Sequence, residues 1–366
     1  MTNMNTVAYS NYSNSRLENN ITSPVTFCND DVNAVCADVE LFACQSCRPA
    51  IFIGFIVMVS LLATLILVGN GLVIASVLTK SRKRSTTLDY IKASLAAADF
   101  LSGIQIVAIT IPNVVWSMYS TPEQIYTEYL KRFLSPDAFV AGCFFMLTIT
   151  APLFNLTLLS YTFFAVIKWP LYTRTQGKKY VALKICLVWI CATVAASYAA
   201  WFPQVFQCGY TPHVFLYLPH TVATTSTDFG IVAVSLIILS LSYISMSSFN
   251  VLSSFFVLRA RHNRGDIAQS STVTRCLNKR DIVVLKNLLL MDFGFSITLS
   301  PIFVWFGLFY TGKAAKSALL ICIYMKMFNS LVNVLIYSTR DEEFRTFITK
   351  VCGRSKLFKA SPPTTG

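Results

Sequence analysis

Residues 326–345 read KMFNSLVNVLIYSTRDEEFR. The stretch opens on a lysine, carries Asn329, Ser330 and Asn333 through an otherwise apolar run, reaches Tyr337 and then turns charged. Each of those polar groups is costly in hydrocarbon unless it has a partner. Asn329 and Asn333 stand four apart, so a helix places them on one face. A span built this way must look inward, toward groups on other spans.

The rest of the chain supplies those spans. It has 366 residues, 54% of them hydrophobic and only 13% charged. A soluble domain carries roughly twice that charged fraction, so the deficit marks a membrane protein. A helix crosses the bilayer with about 20 residues. Seven apolar runs meet that length: 50–79, 93–119, 138–167, 185–202, 229–258, 287–312 and 317–339. Their acidic or basic members are confined to Asp99, Asp292 and Lys326. Pro112, Pro152 and Pro301 interrupt runs without ending them, which membrane helices tolerate. The fold class expected is an all-α bundle of seven transmembrane helices.

Basic residues fix the expected orientation. The segments after runs one, three and five, with the C-terminal tail, hold 23 of the 30 Lys and Arg. Positive charge stays in the cytoplasm, so the N-terminus is expected outside and the C-terminus inside, at the plasma membrane. The net charge of +13 thus reads as a topology signal with attraction for anionic membrane lipids, not as a nucleic-acid patch. The division expected is a tail over 1–48, the bundle over 49–339, an amphipathic eighth helix over 340–352 and a disordered tail over 353–366.

Cys28, Cys36, Cys44 and Cys47 crowd the first tail, and Cys208 lies in a later loop. They are candidates for an oxidised framework outside the cell, with connectivity open. Asn11 and Asn20 begin glycosylation triplets in the same tail. Asn155 begins another, but inside an apolar run, where it is inaccessible. The tail has no apolar core of signal-peptide type, so no cleavage is expected. Cys143, Cys186, Cys191 and Cys322 lie in apolar runs and read as small hydrophobes.

A buried carboxylate at Asp99 needs several donors, and Asn70, Asn329, Ser330 and Asn333 can supply them. Around these residues the sequence resembles the rhodopsin-like G protein-coupled receptors. Gly69-Asn70 matches the first-helix pair. Leu95-Ala96-Ala97-Ala98-Asp99 matches the second-helix motif, and Asn333 to Tyr337 matches Asn-Pro-x-x-Tyr with Val334 in place of proline. DEEFR resembles the start of the family's eighth helix, with Cys352 as an acylation candidate beyond it. The resemblance covers Ala50 to Cys352. It implies that the polar cluster holds a sodium ion, although the usual third-helix hydroxyl position is Pro152; the alternative is a polar knot that only packs the bundle.

Departures mark the switch region. Anchored on Pro170-Leu171, the triplet that is normally Asp-Arg-Tyr becomes Thr162, Phe163 and Phe164. On the same anchor the usual third-helix cysteine falls near Ala138, so Cys143 is too deep to pair with Cys208 in the family's manner. Phe295 and Pro301 match the sixth-helix aromatic and kink, while Leu299 replaces the usual tryptophan. Trp189 fits the fourth-helix tryptophan. The fifth run has no proline, a departure shared with melanocortin, cannabinoid and adenosine receptors, to which a distant link is open. Asp292 either bonds a neighbouring helix and locks an inactive state or makes a local polar contact.

Projection from these anchors puts Phe145, Met146 and Ile149 of helix three, Ile302, Phe303 and Phe306 of helix six, and Ile323, Lys326 and Met327 of helix seven around the outer pocket. The position that carries aspartate in amine receptors is Phe145. This wall suits a small hydrophobic or lipid-like ligand with one polar handle, though a peptide stays open. Lys326 is either a counter-charge for a carboxylate or phosphate, or is paired within the bundle. Opsin lysines sit six residues before the last-motif asparagine and Lys326 sits seven before it, a rotation of about 100°.

The resemblance implies a receptor that passes an extracellular signal to a heterotrimeric G protein by outward movement of helix six. The altered switch residues leave open a binder or scaffold that no longer couples. A transporter or channel fits less well, since neither half repeats the other. His213, His220 and His262 lack metal-ligand spacing and the chain lacks paired catalytic carboxylates, so no enzyme activity and no metal beyond sodium are expected.

Overall fold

The computed structural model describes residues 49–80, 86–120, 124, 128, 136–169, 177–201, 206–211, 216–221, 226–266, 279–310, 316–351 and 353. Among the described residues, seven helices long and apolar enough to cross a membrane follow one another: α1 Pro49–Thr79, α2 Thr87–Tyr119, α3 Pro136–Lys168, α4 Lys178–Trp201, α5 Ser226–Asp266, α6 Lys279–Tyr310 and α7 Lys316–Arg340. A short α8, Glu342–Val351, follows. Between α4 and α5 lies an antiparallel hairpin, β1 Phe206–Thr211 and β2 Leu216–Thr221. The hairpin was not expected from the sequence, where Pro219 interrupts the pattern of the second strand.

The bundle follows from where each helix is apolar. Ile53, Val57, Leu61, Leu65 and Val68 form an exposed stripe on α1, while Val59, Ala63, Ile66 and Asn70 are buried on its other side. Outward apolar groups are what a lipid-facing surface requires. α3 is the hub: it packs on α2, α4 and α5 and also touches both strands. α6 leans on α7, and α7 touches α1 and α2. Val334, which replaces the family's proline, faces α1 at Gly69, where an added Cβ would meet its Cγ1 at 2.7 Å.

α2 contains one wide π turn, Ile106–Thr110. The Ile111 N–H bonds back five residues to the Ile106 carbonyl. Pro112, just beyond, has no N–H to give. A widened turn relieves the clash that its ring would make in a regular helix, a common origin of such bulges.

Candidate functional site

The acid deep in the bundle is completely buried, with Asn333 and Ser330 of α7 beside it. Asp99 and Asn70 are both 0% exposed. Asn333 donates from Nδ2 to Asp99 Oδ2 at 2.8 Å, and the Ser330 side chain stands beside the same carboxylate. Two of the four expected donors are engaged elsewhere. Asn70 donates to the Ile66 and Ser330 carbonyls at 3.0 and 3.1 Å, so it ties α1 to α7 through the backbone. Asn329 accepts from Thr298 of α6 at 3.1 Å. The hydrogen bonds at Asp99 come from Asn333 and Ser330, so the expectation that Asn70 and Asn329 would donate there is corrected. Composition and spacing gave the helix face, but rotamers decided which partner each amide reached.

Lys326 is 3% exposed and points into the bundle. Its Nζ donates to the Thr148 hydroxyl of α3 and sits 5.0 Å from the centre of the Phe145 ring, within cation–π range. Thr148 in turn bonds Gln105 Oε1 of α2 at 3.0 Å. Gln105 is 1% exposed, and its Nε2 has no hydrogen-bond partner among the described residues. Phe145, Ile149, Ile302, Ile323 and Met327 are buried in the same core, with Met146 packed against it. The side chains of Phe303 and Phe306 lie outside the described residues. Thr148 and Gln105 escaped the sequence reading, because a lone threonine and a lone glutamine in apolar runs carry no spacing signal.

A second network joins α2, α3 and α4. Trp189 Nε1 donates to Ser94 Oγ at 2.9 Å, and Ser94 donates to Asn155 Oδ1 at 2.6 Å. Asn155, fully buried, also donates to the Ala151 carbonyl at 2.8 Å. Its triplet is thus inaccessible in the fold.

The switch region is aromatic rather than ionic. Thr162, Phe163 and Phe164 are all buried, Phe163 at 1% exposed. Phe164 meets Phe249 and Phe256 of α5 at ring distances of 5.7 and 6.0 Å. Lys168 caps the group, 5.5 Å above Phe164 and 5.9 Å above Phe256. Phe295 stacks on Tyr243 of α5, Leu299 is buried beside it in the core, and Pro301 lies inside α6. Tyr337 is buried and its hydroxyl reaches Met291 Sδ at 4.0 Å. Asp292 accepts from Ser247 at 3.1 Å and from Asn250 at 3.2 Å. Asp292 thus bonds the neighbouring α5. One turn outward the Tyr243 and Ser296 hydroxyls bond each other, so α5 and α6 share a polar seam.

A family profile described as "7 transmembrane receptor (rhodopsin family)" matches residues 69–337, well over half the chain. The chain belongs to the rhodopsin family of seven-transmembrane receptors. No curated protein matches it closely. It is therefore a multi-pass membrane receptor that transduces signals, and catalysis is not what this family does. The tie to the melanocortin, cannabinoid and adenosine group has no support in the match.

Two ion-pair sets dock the receptor's α8 to the bundle. Lys80 bridges Asp89 at 2.8 Å and Glu343 at 2.7 Å, and Lys92 meets Asp341 at 3.0 Å. Asp341 also caps α8, accepting the Glu343 and Phe344 N–H groups at 3.1 and 3.2 Å. Phe344 and Ile348 pack on the core. Burial disfavours the Asp341 carboxylate, but Lys92 and the two N–H groups outweigh it and hold its pKa below the ordinary value. Burial also disfavours the Lys80 charge, yet its bonds to Asp89 and Glu343 raise its pKa overall. The docking contributed by Asp341 is therefore complete above the ordinary carboxyl pKa and fades as pH falls through its lower folded value. The contribution of Lys80 is complete below the ordinary lysine pKa and fades as pH rises through its higher one. Amide exchange in α8 should accelerate at both extremes. Asp341→Ala should accelerate it at neutral pH, where loss of the cap alone costs about 1 kcal/mol; unchanged exchange would show that the apolar contacts hold α8 by themselves.

Several expected sites lie outside the described residues: Cys28, Cys36, Cys44, Cys47, Asn11, Asn20 and Cys352. The backbone of Cys208 lies in β1, opposite Pro219. Cys143 is a free thiol in the receptor, as are Cys186, Cys191 and Cys322.

Proposed function

We propose that this receptor sits in the plasma membrane with its N-terminus outside. There it takes up a small, largely apolar ligand bearing an acid group and signals through a heterotrimeric G protein. The observation that carries the ligand class is the buried Lys326 ammonium against Phe145 and Thr148, with the Gln105 amide nitrogen nearby. Donors set in an apolar wall suit an acceptor-bearing head and a hydrocarbon body. The orientation rests on the concentration of Lys and Arg in alternate loops. Coupling would proceed by an outward swing of α6 about Pro301, where the ring removes a backbone bond.

Nucleotide exchange in membranes carrying the receptor tests this reading, with fatty carboxylates and lipid phosphates as probes and a panel of G proteins. The expected result is exchange that depends on the acid head and loses at least tenfold in potency in Lys326→Met. A response untouched by that substitution would remove the counter-charge role. A second reading, a binder that no longer couples, is favoured by the buried Phe163 and its aromatic neighbours. Saturable probe binding with no exchange on any G protein would select it.

A further inference from the structure

Asp292, in the inner half of α6, is held by α5. Ser247 donates to its Oδ1 at 3.1 Å and Asn250 to its Oδ2 at 3.2 Å, so both carboxylate oxygens are engaged. The two donors stand three apart on α5 and share a face of the helix. No cation meets the carboxylate among the described residues, so these two bonds are what stabilise its half-buried charge. One turn outward, Ser296 donates to the Asp292 carbonyl at 2.7 Å. That uses its single proton, so Tyr243 is the donor in the bond between the Tyr243 and Ser296 hydroxyls.

The two contacts lie at different depths below Pro301, the proline inside α6. Ser296 is five residues inward of it and Asp292 nine, about 8 and 14 Å along the axis at about 1.5 Å per residue. A tilt of about 10° about Pro301, in any direction but toward α5, moves Ser296 by about 1 Å and Asp292 by about 2 Å. The first displacement leaves the Tyr243 bond closed. The second carries bonds of 3.1 and 3.2 Å past about 3.5 Å, where a hydrogen bond is lost. Further inward, Ser253 of α5 and Asn287 of α6 are buried, each with a side-chain oxygen that meets no partner among the described residues. Outward movement of α6 opens that region to cytoplasmic water, which offsets part of the loss at Asp292. The pair of helices thus has two arrangements, each satisfying a different set of polar groups.

We propose that Asp292 is the latch of α6: its carboxylate, clasped by Ser247 and Asn250 of α5, fixes the resting position of the inner end of α6, and both bonds open before α6 swings about Pro301. Tyr243 and Ser296 form the pivot contact that stays shut. Holding by α5 fits an α3 whose inner end presents the buried Thr162, Phe163 and Phe164 and so offers α6 no charged partner at those positions. The latch rests on the reading of α6 as the helix that moves, and needs neither an acid ligand nor a particular G protein.

A distance measurement on the full-length receptor in lipid nanodiscs tests it without any ligand. Labels go at Lys286 of α6 and Lys179 of α4, both exposed, as genetically encoded reactive residues that spare the native cysteines. Lys286 lies fifteen residues inward of Pro301, so the same tilt displaces it by about 4 Å. Asp292→Leu should add a population longer by about that amount. Ser247→Ala with Asn250→Leu should add the same one, and all three changes together should add nothing further. Tyr243→Phe should lower Tm and leave the distance unchanged. Should Asp292→Leu fail to fold, the change at Ser247 and Asn250 reads the same latch. A folded Asp292→Leu variant with the parent's distance would overturn the proposal, as would a Tyr243→Phe variant that opens α6 equally far. Basal nucleotide exchange separates the latch from coupling. A longer distance with no exchange on any G protein keeps the latch and removes the coupling; an unchanged distance beside intact exchange removes the latch alone.

Discussion

Phe163→Arg, which places there the arginine that the family resemblance leads one to expect, should weaken the receptor rather than repair it. Phe163 is 1% exposed, next in sequence to the Phe164 ring that packs on α5. A guanidinium placed there must either lie buried and unpaired or force the end of α3 away from its neighbours. A charge stranded in a packed interior costs about 3–5 kcal/mol; reach along its own stem toward the helix end would reduce that. Phe163→Leu keeps an apolar group and creates only a small gap. The arginine variant should therefore show a much lower Tm and less protein at the cell surface than the leucine variant. An arginine variant as stable as the parent would mean that the aromatic packing is not the resting arrangement.

Gly294→Ala should also destabilise, against the usual sign. In a helix interior the exchange ordinarily gains about 0.5–1 kcal/mol. Here the added Cβ would lie 2.6 Å from Val332 Cγ1 of α7, and a short branched side chain has little room to give. Overpacking of this kind costs about 1–3 kcal/mol, so the steric effect exceeds the helical one. Tm should fall, and Val332→Ala in the same chain should restore it, because the small residue then simply changes sides. A rise in Tm on the single substitution would show that α6 and α7 are not in close contact at this point.

These two positions illustrate what could and could not be read in advance. The seven spans were legible because hydrocarbon forbids long polar stretches, and each run declares itself by length. The facing of Asp99 and α7 was legible because a carboxylate in such a run has few tolerable solutions. The pairing within that cluster was not, since Asn70 and Asn329 reach carbonyls and hydroxyls whose positions depend on helix rotation. Thr148, Gln105, Ser94 and Gly294 gave no signal at all. Each matters through a neighbour more than thirty residues away in sequence, and no local pattern marks that. The Trp189 position was recognisable, but not that its indole would bond Ser94.

The wide turn at Ile106–Thr110 has a bearing on how the outer part of α2 faces the bundle. One additional residue in a turn advances everything after it by about 100° around the axis. Thr110, Asn113 and Ser117 are nonetheless all buried, so the outer part of α2 keeps a polar face toward the bundle beyond the wide turn.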